Sequence, residues 1–132
     1  MELIDTGYGI LMAGTIYEFN LDLLTKKLTL KISLQIYDPK KEYTKEERKR
    51  IVLRYYELRL INIKKLNFET LVFRPGFGVT LEDIAVFKIK DNEYEVGMDI
   101  GGHLGDLVVR CENHELLDLF ENEMEHTKAY EF

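Results

Sequence analysis

The chain has 132 residues, 45% of them hydrophobic, and a formal net charge of −6. That size suits one domain with a core that needs no staples, and that composition excludes a disordered chain. The acidic balance argues against nonspecific nucleic-acid binding, and no apolar run reaches the roughly 18 residues a membrane-crossing helix needs.

The first predicted element is a hairpin. Tyr17, Phe19, Leu21 and Leu23 alternate with Glu18, Asn20 and Asp22, and Leu28, Leu30, Ile32, Leu34 and Ile36 alternate with Thr29, Lys31, Ser33 and Gln35. Period-2 alternation gives each strand one apolar and one wet face. Leu24 to Lys27 makes the connection without the Asn-Gly or Asp-Gly of the tightest turns. Asp38-Pro39 ends the second strand, and Thr44 with Glu47 has the spacing of a capping box over one helical turn. Ile51 to Ile63 fits two patterns. β-branched and Tyr residues favour a strand, while the length from Thr44 to about Leu60 suits a helix; strand is the preferred reading. Leu60, Ile61, Ile63, Leu66 and Phe68 form a further short strand.

Arg74-Pro75-Gly76-Phe77-Gly78 is a turn. A second hairpin follows, from Ile84, Val86, Phe87 and Ile89 through Asp91-Asn92-Glu93 into Tyr94, Val96, Met98 and Ile100. Gly101 to Gly105 turns the chain into a strand from Leu107 to Cys111. Residues 112–132 then read as an acidic helical tail. Asn113 is its N-cap, Glu115 and Asp118 suit its positive end, and Leu116, Leu117, Phe120 and Met124 form its apolar stripe. The predicted fold is mainly β (α+β): one domain over 1–132, an antiparallel meander, small sandwich or barrel of five to seven strands, with a C-terminal helix.

Charge is unevenly placed. Residues 112–132 hold seven acids against Lys128 and carry the whole net charge, while residues 48–65 hold seven bases against Glu57. The basic stretch faces the acidic tail within the fold, is simply solvated, or forms a docking surface. The tail points to partner binding, because clustered acids speed association with a basic partner. Its contact residues are Glu115, Asp118, Glu121, Glu123 and Glu125, with Tyr130 and Phe132 as aromatic anchors.

Catalytic signatures are sparse. Cys111-x-x-His114 with His103 offers three residues of types that bind zinc, but a structural site wants four ligands, and Cys111 falls on an apolar alternation that suits a buried thiol. The same Cys–His set is the one conceivable nucleophile with a base. The Gly97–Gly105 glycines lack the following Lys-Ser or Lys-Thr of a phosphate loop, so no cofactor is expected. The lone Cys and an acidic N-terminus without a basic leader predict a cytoplasmic protein.

The segments Leu28-Thr29-Leu30-Lys31-Ile32, Leu66-Asn67-Phe68, Asp83-Ile84-Ala85-Val86, Tyr94-Glu95-Val96 and Gly105-Asp106-Leu107-Val108-Val109-Arg110-Cys111 occur in an order that resembles small bacterial proteins of the polymorphic-toxin immunity type. Those families often open with a His-Asp pair, where this chain has Met12-Ala13-Gly14. The resemblance implies a β-rich protein that acts by binding, with no catalytic residues to carry over. The expected function is an intracellular protein-binding module, an immunity-type protein neutralising a basic toxin domain. The alternatives are a small-molecule-binding barrel or enzyme, and a self-assembling structural protein.

Overall fold

Alternating apolar residues build strands here because neighbouring strands bury one face against a shared interior. The computed structural model describes residues 1–36, 50–68, 79–101 and 105–125. Among the described residues seven strands run in chain order: β1 (Glu2–Ile4), β2 (Thr15–Asp22), β3 (Lys27–Ile36), β4 (Arg50–Phe68), β5 (Val79–Lys90), β6 (Glu93–Ile100) and β7 (Gly105–Glu125). A 3-10 turn, Tyr8–Leu11, lies between β1 and β2. The turn expected at 74–78, the capping box at Thr44 and the anchors Tyr130 and Phe132 lie outside the described residues, as does His103.

All seven strands are antiparallel in one sheet, ordered β1-β5-β2-β3-β4-β7-β6, and β5 also pairs with β6. That extra pairing closes a six-stranded barrel. The ring has an internal two-fold in its connectivity: exchanging β2-β3-β4 with β5-β6-β7 leaves the strand order unchanged. Two contacts join the halves. The long β4–β7 ladder runs from Arg50↔Glu125 to Phe68↔Leu107, whereas β2 meets β5 at Thr15↔Thr80 and Ile16↔Val79. Hydrogen bonds between Leu81 and both Ala13 and Gly14, each 2.8 Å, extend the short seam.

The interior is filled by Leu28, Leu30 and Ile32 from β3, Leu58 and Leu60 from β4, Leu81 and Val86 from β5, Val96 and Met98 from β6, and Leu107, Val109 and Cys111 from β7. Six strands make a narrower ring than the eight-stranded barrels that can hold one small ligand, so side chains occupy the centre.

Both predicted hairpins are present. Asp22 Oδ1 accepts hydrogen bonds from the Leu24 and Thr25 N–H groups, and Lys26 takes a positive φ of 54°. An Asx turn thereby does the work expected of Asn-Gly. The preferred strand reading of Ile51 to Ile63 holds. The separate short strand from Leu60 to Phe68 is instead a continuation of β4, bent where Asn62 adopts a φ of 53° and the register with β7 shifts between Ile63 and Lys65.

The expected C-terminal helix is absent, and the tail to Glu125 is the second half of β7. Its Leu116, Leu117, Phe120 and Met124 spacing satisfies a helical stripe, but propensity is a weak prior against tertiary pairing. β4 offers a complementary edge, and the register sets Glu115 opposite Arg59 and Glu121 opposite Arg54. Asn113 is not a helix cap. Its Oδ1 accepts the N–H of the next residue, His114, at 2.9 Å.

Bulges decide which side chains face out. In β2 the register skips Tyr17 between Ile16↔Ile32 and Glu18↔Lys31. Tyr17, expected on the apolar face with Phe19 and Leu21, turns outward, and Ile16 takes the interior place. In β5 the register skips Glu82, which moves the inward set from Val79 and Leu81 to Ile84 and Val86.

Candidate functional site

Two clusters carry the chemistry of this molecule. The first lies on the outside of the sheet, where β2, β3, β4 and β7 run side by side. Tyr55 on β4 stands directly opposite Phe120 on β7, and the two rings stack at 4.4 Å. Tyr17, set outward by its bulge, meets Tyr55 edge-on at 5.6 Å. Tyr17 is 47% exposed and Phe120 54%. The row is therefore a wet aromatic surface on strands whose other face is packed.

Ion pairs run along the same strands. Lys31 Nζ lies 2.8 Å from Glu18, Arg54 lies 3.2 Å from Asp118 and 3.5 Å from Glu121, and Lys64 lies 4.0 Å from Glu112. At 3.5 Å Glu121 makes a charge contact with Arg54 Nε rather than a hydrogen bond, so that buried N–H has no acceptor among the described residues. Arg59 bridges Glu57 at 2.6 Å and Glu115 at 3.2 Å. Glu57 is the buried charged residue among those described, and the Arg59 guanidinium satisfies it. The basic stretch thus faces the acidic tail within the fold. Of the acids expected to contact a partner, Glu115, Asp118 and Glu121 each touch one of the chain's own arginines. Glu123 and Glu125 pair by register with Val52 and Arg50.

The second cluster sits at one end of the barrel. The 3-10 turn crosses that end. Leu11 within it is fully buried, and the Tyr8 hydroxyl reaches His114 Nδ1 on β7 at 2.7 Å. Tyr8 and Tyr94 both meet the His114 ring edge-on, at 5.5 and 4.8 Å. Burial holds the His114 pKa below the ordinary imidazole value, and it raises that of Tyr8, with the nearby Glu115 and Cys111 adding to the rise. The Tyr8 hydroxyl therefore keeps its proton at neutral pH, and in the tautomer that carries the His114 N–H on Nε2 it donates to Nδ1, the other tautomer reversing the bond.

Cys111 lies inside the barrel with no exposed surface, and burial pushes its thiol up to about 11. A buried thiol of that kind is a poor nucleophile at neutral pH. His114 Nδ1 is engaged by Tyr8. No group of three His, Cys, Asp or Glu side chains that could hold a metal exists among the described residues. The residues that sequence reasoning missed are Tyr8, Tyr17 and Tyr55. Their partners are remote in sequence, and Tyr17 faces outward through a bulge that alternation does not announce. Comparison of the chain with protein-family models, with curated proteins and with solved structures found no match in any of the three.

Proposed function

We propose that this chain is a protein-binding module whose contact face is the outer surface around Tyr17, Tyr55 and Phe120. One observation carries the reading: three aromatic rings pack on one another outside a barrel whose inside is already full. Aromatic residues dominate interface hot spots because they bury large rigid area at low entropic cost, and a charged rim around them fixes orientation. The Lys31–Glu18 and Arg54–Asp118–Glu121 pairs form such a rim. A binding pocket inside the barrel draws no comparable support, since Leu, Ile and Val side chains occupy that space.

The narrower version is an immunity-type protein that neutralises a basic toxin domain. Its support is the net charge of −6 and the order of sequence segments given above. The internal ion pairs shift the weight of that version from the carboxylates to the aromatic row. The test is co-purification from the source cell with the wild type and with a Tyr17→Ser/Phe120→Ser double variant, at low and high salt. A specific partner lost by the double variant and held by the wild type in high salt supports the aromatic face. A partner kept by the double variant and released by salt assigns binding to charge instead. Light scattering of the purified wild type separates self-assembly from binding to another protein.

A further inference from the structure

The segment between β1 and β2 is built as a strap. Gly7 at its start has a φ of 75° and Ala13 at its end a φ of 67°, so both limbs turn sharply through the left-handed region. Between them Leu11 enters the interior and Tyr8 spans to β7. At the far limb the backbone of Gly14 lies so close to β3 that a Cβ there would stand 2.7 Å from Ile32 Cγ2 and 2.8 Å from Leu34 Cδ2. One polar side-chain contact from the strap to the barrel opposite is given by the described residues, Tyr8 to His114.

We propose that the Tyr8–His114 hydrogen bond is an acid-released latch on this strap, so that protonating His114 loosens residues 5–14 and uncovers the apolar end of the barrel. The neutral ring in its Nε2–H tautomer accepts the Tyr8 proton at Nδ1. An imidazolium has two donors and no acceptor, so the Tyr8 hydroxyl must turn away from it or accept where it had donated. The surroundings offer the new charge little. Tyr8 and Tyr94 face the ring from the strap and from β6, and Cys111 on β7 is a neutral thiol. Glu115, the next carboxylate along β7, is engaged by Arg59, and β4 sets Leu60 opposite His114. The uncovered side chains are those of the core that Leu11 joins.

Amide hydrogen exchange of the full chain at pH 7.5 and pH 5, corrected for intrinsic rates, tests this. Protection at Tyr8 to Gly14 should fall about tenfold at the lower pH, a change equivalent to about 1.4 kcal/mol, while β4 and β7 hold theirs. In His114→Gln, which leaves the other two histidines in place, the strap should exchange equally at both pH values. Tyr8→Phe, which keeps the ring, should exchange faster at pH 7.5. Unchanged strap protection in the wild type, or an equal pH response in His114→Gln, overturns the latch.

Discussion

The barrel body and the outer face of the β4–β7 ribbon are made from the same strands but held by different forces. Inside, Leu58 on β4 pairs with Leu116 on β7 and Leu30 on β3, and the gain is removal of apolar surface from water. Outside, one residue along, Arg59 faces Glu115 and Tyr55 faces Phe120. Half-exposed pairs of that kind contribute little each, because water screens them. The difference teaches that the acidic tail is not spare charge. Much of it serves register, matching one long strand to the basic strand beside it.

The comparison can be broken at its strongest point first. Leu30→Ala empties a fully buried position and should lower stability by about 2–5 kcal/mol in urea denaturation. Gly14→Ala drives a methyl group into Ile32 and Leu34 and should cost about 1–3 kcal/mol. A smaller effect comes from acid. The folded-state pKa of His114 lies below the ordinary 6.5, so the unfolded chain binds more protons between the two values. This contribution is fully present above pH 6.5 and is lost as pH falls toward the folded value; thermal melts of wild type against His114→Gln should show it. Tyr17→Ala and Phe120→Ala should each change stability by about 1 kcal/mol or less while reducing partner capture. A large stability loss from either would place the aromatic row with the core instead.

Cys111 sharpens the same contrast chemically. With its thiol pushed from 9.0 to about 11, its thiolate fraction at pH 8 should be roughly 100-fold lower in the folded chain than in urea. Iodoacetamide labelling in both states, followed by mass spectrometry, reads this directly.

Both hairpins were legible in the amino-acid sequence because alternation is local and the β3 and β6 faces obey it without interruption. Cys111 was legible as a buried thiol for the same reason. The second half of β7 was not. Leu116, Leu117 and Phe120 present a helical spacing, and only the remote Arg54 and Arg59 of β4 reveal that Glu121 and Glu115 have basic partners across a strand pair. Leu119, where the register with β4 skips a residue, adds to the disguise. The aromatic row and the Tyr8–His114 contact were hidden because each joins residues from opposite ends of the chain, and a bulge aims Tyr17.

The ring's two joints have a consequence for how the chain is made. β4 finishes emerging from a ribosome some forty residues before β7 begins, and proteins fold N-terminal parts first. Throughout that interval the β2-β3-β4 meander must live with one whole edge of its longest strand lacking the partner it will later acquire. Any nascent-chain chaperone that protects this molecule should therefore be found on residues 50–68, and should leave once β7 is free to pair.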